Sequence, residues 1–134
     1  MTDRKVVRVA DVMERDPVVI DGVATVAEAL AVLQERSAHC LIVAKRHEDD
    51  EFGIVMIADI AKQVLAPNRS PERVNVYEIM SKPVLSVEPD MDIRYCARLF
   101  HRFGISAAPV IAGDEIEGVV AYDELVLKGL AGST

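Results

Sequence analysis

The sequence predicts an α/β fold made of two β-α-β-β-α units packed with pseudo-twofold symmetry. Three observations carry that expectation. The chain repeats itself: Val9-Ala10-Asp11-Val12-Met13 returns as Val76-Tyr77-Glu78-Ile79-Met80, 67 positions later. The same offset pairs Thr25-Val26 with Asp92-Ile93 and Leu41-Ile42-Val43 with Ala108-Pro109-Val110, then shortens by two at a loop to pair Gly53-Ile54-Val55 with Gly118-Val119-Val120. A fixed internal period sets the architecture before any single motif does. The composition agrees, since 51% of residues are apolar but only 4% aromatic, which suits aliphatic strands buried under helices and excludes a disordered chain. Finally, capping, turn and glycine positions recur in the same order in both halves.

The first unit spans residues 1–66, with a core at about 9–65. A helical turn, Val9 to Glu14, is broken by Asp16-Pro17, and Val18-Val19-Ile20 reads as a short strand. Asp21-Gly22 turns the chain, and Thr25 followed by Glu28 three residues on has the form of a capping box. Val26, Ala29, Leu30 and Leu33 then keep helical spacing along one apolar face. Leu41 to Ala44 is a buried strand, Lys45 to Glu51 a charged hairpin connection, and Gly53 to Ile57 the return strand. Asp59 is placed to cap a second helix through Leu65. Residues 67–75 form a linker opening with the polar run Pro67-Asn68-Arg69-Ser70-Pro71.

The second unit, residues 76–134 with a core at about 76–130, repeats the order. A helical turn ends at Met80, Lys82-Pro83 breaks it, and Val84 to Val87 is extended. Asp92 caps a helix whose Ile93, Cys96, Ala97, Phe100 and Phe103 face inward, and Gly104 stops it. Pro109 to Ala112 and Gly118 to Ala121 are strands joined by a tight Gly113-Asp114 turn, and a last helix runs from about Tyr122 to Leu130. One unit alone is marginal, because a chain of about 60 residues buries only about 60% of its surface. The two are expected to pack, with the functional surface in the cleft between them.

The net charge of −7 argues against a basic face for nucleic acid or an anionic membrane. No apolar run approaches the roughly 20 residues of a membrane span, and Met1-Thr2-Asp3-Arg4-Lys5 lacks a signal-peptide core. A soluble, cytoplasmic chain is expected. Cys40 and Cys96 lie in apolar contexts and read as reduced core thiols. His47-Glu48-Asp49-Asp50-Glu51 lacks the ligand spacing and loop glycine of a calcium loop, so it reads as a solvated hairpin and no metal site is expected. There is no phosphate-binding glycine loop, dinucleotide fingerprint, His-Glu-x-x-His or Cys-x-x-Cys motif, and no nucleophile with a positioned base. No enzyme is expected.

Several segments taken together carry a family resemblance. They are the openings ending at Met13 and Met80, the Pro17-Val18 and Pro83-Val84 strand starts, Ser106-Ala107-Ala108-Pro109-Val110 after a helix, and Gly53-Ile54-Val55-Met56-Ile57-Ala58-Asp59. In this order and register, over about residues 6 to 130, the chain resembles a tandem CBS (cystathionine-β-synthase) domain pair, or Bateman module. Asn75 to Met80 and Asp90 to Arg98 are similar to small stand-alone bacterial CBS-pair proteins. The resemblance implies a non-catalytic regulatory module, commonly a homodimer, that takes AMP, ADP, ATP, NAD(H) or S-adenosylmethionine between its repeats and acts on a separate protein.

The resemblance also implies roles for particular residues. In the pattern Gly-h-h-Ser/Thr-x-x-Asp the carboxylate takes the ribose hydroxyls, which points to Asp59; capping of the adjoining helix is compatible with the same side chain. Met56 stands where a hydroxyl is expected. In repeat two Ala121 takes that position and Glu124 the carboxylate position, so at most one strong site, on the repeat-one side, is expected. The adenine slot, apolar with backbone groups at its edge, falls on Val18, Val19, Ala38, Cys40 and Ile42, and on Val84, Leu85, Ile105, Ala107 and Pro109. His39 and its counterpart Ser106 are placed against phosphate. Arg15, Arg46, Lys82 and Arg102 read as solvated cations near the cleft edges. The thin supply of cations favours AMP or NAD over a triphosphate. Met56, Ala121 and Glu124 also support the alternative of an interaction scaffold with degenerate clefts.

Overall fold

The computed structural model describes residues 6–82 and 85–131. The break and strand start expected at Pro83 and Val84, and the run Met1 to Lys5, lie outside the described residues. In chain order the elements are α1 (Val9–Val12), β1 (Val19–Ile20), α2 (Val26–Arg36), β2 (Cys40–Val43), β3 (Gly53–Met56) and α3 (Ile57–Ile60), which runs on as a π-helical segment, Ala61–Leu65. A 3₁₀ turn (Pro71–Arg73) sits in the expected linker. Then come α4 (Val76–Ile79), α5 (Ile93–Phe103), β4 (Ala107–Ala112), β5 (Glu115–Ala121) and a closing π-helix, Glu124–Leu130.

These elements form two compact units that do not follow the sequence period. One is Val18–Pro83; the other joins Met1–Pro17 to Val84–Thr134. Each unit therefore combines the strands and long helix of one repeat with the opening helical turn of the other.

In the Val18–Pro83 unit, β1 lies parallel to β2, with Val19 opposite Ile42 and Ile20 opposite Val43. β2 pairs antiparallel with β3, Leu41 opposite Val55 and Val43 opposite Gly53. The chain after α4 adds to the far edge of β3: Ile54 N–H donates to the Ser81 carbonyl at 2.8 Å and Ser81 N–H returns to Ile54 at 3.0 Å. The other unit repeats this register. Ala108 faces Val120 and Val110 faces Gly118 across β4–β5, and Glu14, after α1, exchanges hydrogen bonds with Val119 at 2.9 and 3.1 Å. Among the described residues, its counterpart of β1 is one parallel bridge, Val87 to Val110.

Both long helices start and stop as their sequences dictate. The Thr25 hydroxyl accepts from Glu28 N–H at 3.1 Å, and the Asp92 carboxylate from Arg94 N–H at 2.8 Å. These are N-cap bonds that satisfy otherwise orphaned amides. α2 ends at Ser37 and α5 at Gly104, both with left-handed backbone. Val26, Ala29 and Leu33 bury one stripe of α2, and Ile93, Cys96 and Phe100 one stripe of α5. Phe103 departs from the expectation and is 50% exposed. At 3.6 residues per turn it lies about 60° around the helix from Phe100, on the last residue before the chain turns away.

Asp59 likewise departs from expectation. It is not the N-cap of α3 but its third residue, and Met56 occupies the cap position. The last helix begins at Tyr122, as expected, and is π-helical over Glu124–Leu130. Gly53 and Gly118 mark a close approach in each unit. A Cβ at Gly53 would meet Met80 Sδ at 2.7 Å and Val43 Cβ at 3.2 Å; at Gly118 it would meet the Glu14 carbonyl oxygen and Met13 Sδ.

Candidate ligand site

The two carboxylates expected at ribose occupy equivalent places. Asp59 Oδ2 accepts from Met56 N–H at 2.7 Å, and Glu124 Oε1 accepts from Ala121 N–H at 2.8 Å. Each reaches back from the first turn of a helix to the residue that ends a strand. Asp11 on Arg8 N–H and Glu78 on Asn75 N–H do the same, both at 2.8 Å, so the device opens all four short helical segments. An acid in the first turn is also favoured by the helix dipole. The extra methylene of Glu124 does not prevent the reach-back. In both cases one carboxylate oxygen is committed to the backbone, and the other takes no hydrogen bond among the described residues.

Of the residues expected around Asp59, His39 and Cys40 fall at its end of the sheet, while Val19 and Ile42 pair farther along β2. Cys40 lies opposite Met56 in the β2–β3 ladder, and Ile57 N–H donates to the His39 carbonyl at 3.3 Å. His39 is exposed and Ala38 half-buried. Val19 is 46% exposed, whereas Val18, Cys40 and Ile42 are buried. In the other unit Tyr122 N–H donates to the Ser106 carbonyl at 3.2 Å, in the same relation. There Ser106 is exposed, Leu85 and Ile105 are half-buried, and Ala107 and Pro109 are buried. Val84 lies outside the described residues. Within each unit, then, the exposed candidates are Val19 and His39 in one and Ser106 in the other; half of the adenine positions are buried.

A grouping that the sequence did not reveal lies at the opposite end of β2–β3. Arg46, His47, Asp50, Met80 and Lys82 line a concavity of about 530 Å³. Lys82 pairs with Asp50 at 3.0 Å and also donates to the Glu51 carbonyl. Asp50 Oδ2 accepts from Arg46 N–H at 2.9 Å. That amide and then the Lys82 ammonium hold the Asp50 carboxyl well below the usual carboxylate range. Lys82 is 32 residues from Asp50 in sequence, so no local pattern links them. Its repeat counterpart, Arg15, turns instead to the Ala10 carbonyl at 2.7 Å. Cys96 is fully buried, and burial pushes its thiol up to about 11. Among the described residues, no three His, Cys, Asp or Glu side chains gather as a metal would need, and no helix is long and apolar enough to cross a membrane.

Comparison with known proteins agrees with this architecture. The model of the CBS domain matches twice, at residues 9–66 and 76–129. A hexameric CBS-CP12 protein from bloom-forming cyanobacteria is 39% identical, with a TM-score of 0.88 over 92% of this chain and 72% of that one. The CBS domain pair of protein MJ0100, solved with 5′-methylthioadenosine and S-adenosyl-L-methionine, shares the fold at 23% identity, with a TM-score of 0.81 over 97% of this chain and all of that one. An uncharacterized protein of Methanopyrus kandleri is 25% identical over 90% of this chain. The chain spans only 61% of that relative's length. Two family matches in tandem, on a fold whose two units repeat one strand register, identify the chain as a member of the CBS domain family.

Proposed function

We propose that the chain is a non-catalytic regulatory module that binds an adenosine-containing ligand, with AMP or NAD(H) favoured, and signals by a change of conformation or of oligomeric state. The observation that carries this reading is Asp59. Its carboxylate is held by Met56 N–H, half-buried, with one oxygen that takes no hydrogen bond among the described residues, on a helical turn whose Ile57 N–H bonds to the His39 carbonyl. A carboxylate fixed in this way accepts from a ribose hydroxyl without first ordering its own side chain. The adenosine-bearing compounds held by the MJ0100 pair support the ligand class. The chain acts as a homodimer on a separate protein, and regulation requires that the ligand favour one arrangement over another.

A second reading, a ligand-independent scaffold, is favoured by Met56 and Ala121, which place no hydroxyl where the family pattern has one. Thermal unfolding of the purified chain with AMP, ADP, ATP, NAD⁺, NADH, S-adenosylmethionine and a GTP control separates the two. A ligand that binds only the folded state stabilises it by about 2.7 kcal/mol at 100 times its Kd. A dose-dependent rise with one adenosine compound and not GTP supports the sensor. A flat panel from nucleotide-free protein supports the scaffold.

A further inference from the structure

We propose that the exposed face of α5 binds the acidic β2–β3 hairpin of a second copy of this chain. The helix reads Ile-Arg-Tyr-Cys-Ala-Arg-Leu-Phe-His-Arg-Phe and contains no acid. Arg94, Arg98 and Arg102 recur every fourth residue, so they form one stripe, on the side away from buried Ile93, Cys96 and Phe100. Its repeat counterpart α2 carries Glu28 and Glu35 against the single Arg36. Like charges four residues apart weaken a helix, and little within the chain offsets that here. Arg94 reaches Asp92 only at 3.9 Å. Arg98 and Arg102 take part in no hydrogen bond or ion pair among the described residues. Tyr95 and Phe103, 53% and 50% exposed, stand on the same helix; arginine with exposed aromatics is the composition of binding hot spots.

The complement is in the same chain. The loop joining β2 to β3 carries Glu48, Asp49, Asp50 and Glu51. Asp50 is taken by Lys82 and by Arg46 N–H, and Lys82 also holds the Glu51 carbonyl. The loop is thereby fixed, which lowers the ordering cost of binding. Glu48, Asp49 and Glu51 remain exposed, and their carboxylates have no partner among the described residues. Three open carboxylates on a tethered loop match three guanidiniums spaced about 6 Å apart along the helix, and the guanidinium fork suits carboxylate. Nucleic acid is disfavoured because, without α5, the rest of the chain carries a formal charge of −10. Two copies can make the contact reciprocally as a closed dimer or pass it on around a ring. This contact is independent of any ligand.

The test is sedimentation of the full chain at about 0.1 and about 1 M salt, over which the screening length falls from about 10 to about 3 Å. Two double variants, Arg98→Glu with Arg102→Glu and Glu48→Lys with Asp49→Lys, are compared with the fourfold charge swap. The wild type should self-associate at low salt and dissociate at high salt. Each double variant should weaken association by about tenfold or more, since two exposed pairs contribute about that much. The fourfold variant should restore it. Urea unfolding checks that each variant remains folded. The proposal is overturned if the wild type is monomeric at low salt, if neither double variant changes association, or if the fourfold variant stays weak. It is also overturned if Asp114→Lys with Glu115→Lys, rather than the β2–β3 reversal, abolishes association. Binding of an RNA oligomer that is lost in Arg98→Glu with Arg102→Glu would reassign the stripe to nucleic acid.

Discussion

Gly53 and Gly118 occupy equivalent places in the two units, yet Gly→Ala should cost different amounts at each. Neither has a positive φ, so backbone conformation does not require glycine; space does. At Gly53 the nearest obstacle to a Cβ is Met80 Sδ at 2.7 Å, near the end of a flexible side chain that can change rotamer. At Gly118 it is the Glu14 carbonyl oxygen, and that peptide is pinned by reciprocal hydrogen bonds with Val119 at 2.9 and 3.1 Å. Relief there means moving backbone and weakening that bridge. Overpacking costs about 1–3 kcal/mol, while the lost freedom of the unfolded chain returns about 0.4–1 kcal/mol for Gly→Ala. Gly53→Ala should therefore come out within about 1 kcal/mol of wild type, and Gly118→Ala about 2 kcal/mol or more below it. Urea unfolding with a shared m-value reads the difference directly. Equal losses, or a larger loss at Gly53, would refute the argument that a movable thioether and a pinned carbonyl differ as neighbours.

Other outcomes follow from single residues. Phe100 is fully buried and meets Tyr122 edge-on at 5.4 Å, so Phe100→Ala should lose about 3–5 kcal/mol in urea unfolding. The Cys96 thiol, fully buried and raised to about 11, should resist a thiol reagent at pH 8 in the folded protein and react once urea unfolds it. Asp50 and Glu78 have carboxyls lowered from ordinary values of 3.8 and 4.5. Their stabilisation is fully present above those unfolded values and fades as pH falls through the lower folded ones. The urea midpoint should drop on acidification below about pH 5, and Asp50→Asn should flatten part of that drop.

Much of the fold was legible because its signals are local. Thr25, Asp92 and Gly104 each act on the nearest turn of helix, and the strand register follows the repeat pair by pair. The exchange of opening turns was not legible. A period of 67 says that α1 and α4 are equivalent, but not which copy of the strands each covers, since that depends on tertiary packing. The sequence shows the right turn of helix for Asp59 but not its capping position. The cap residue, Met56, has no capping side chain to read, so the nearest acid looks like the cap although it is the residue that reaches back. Lys82 with Asp50, and the open arginine stripe of α5, become visible only when burial and partners are known.

The central claim rests on Asp59, and calorimetric titration of Asp59→Asn with the adenosine compound that stabilises the wild type tests it most directly. Asparagine keeps an oxygen to accept from Met56 N–H but loses the open carboxylate oxygen, so the fold is left intact. A hydrogen bond to a charged group contributes about 1.5–3 kcal/mol, and the account predicts affinity about 10- to 100-fold weaker with an unchanged urea midpoint. Undiminished affinity in Asp59→Asn, with the loss appearing in Glu124→Gln instead, would contradict it.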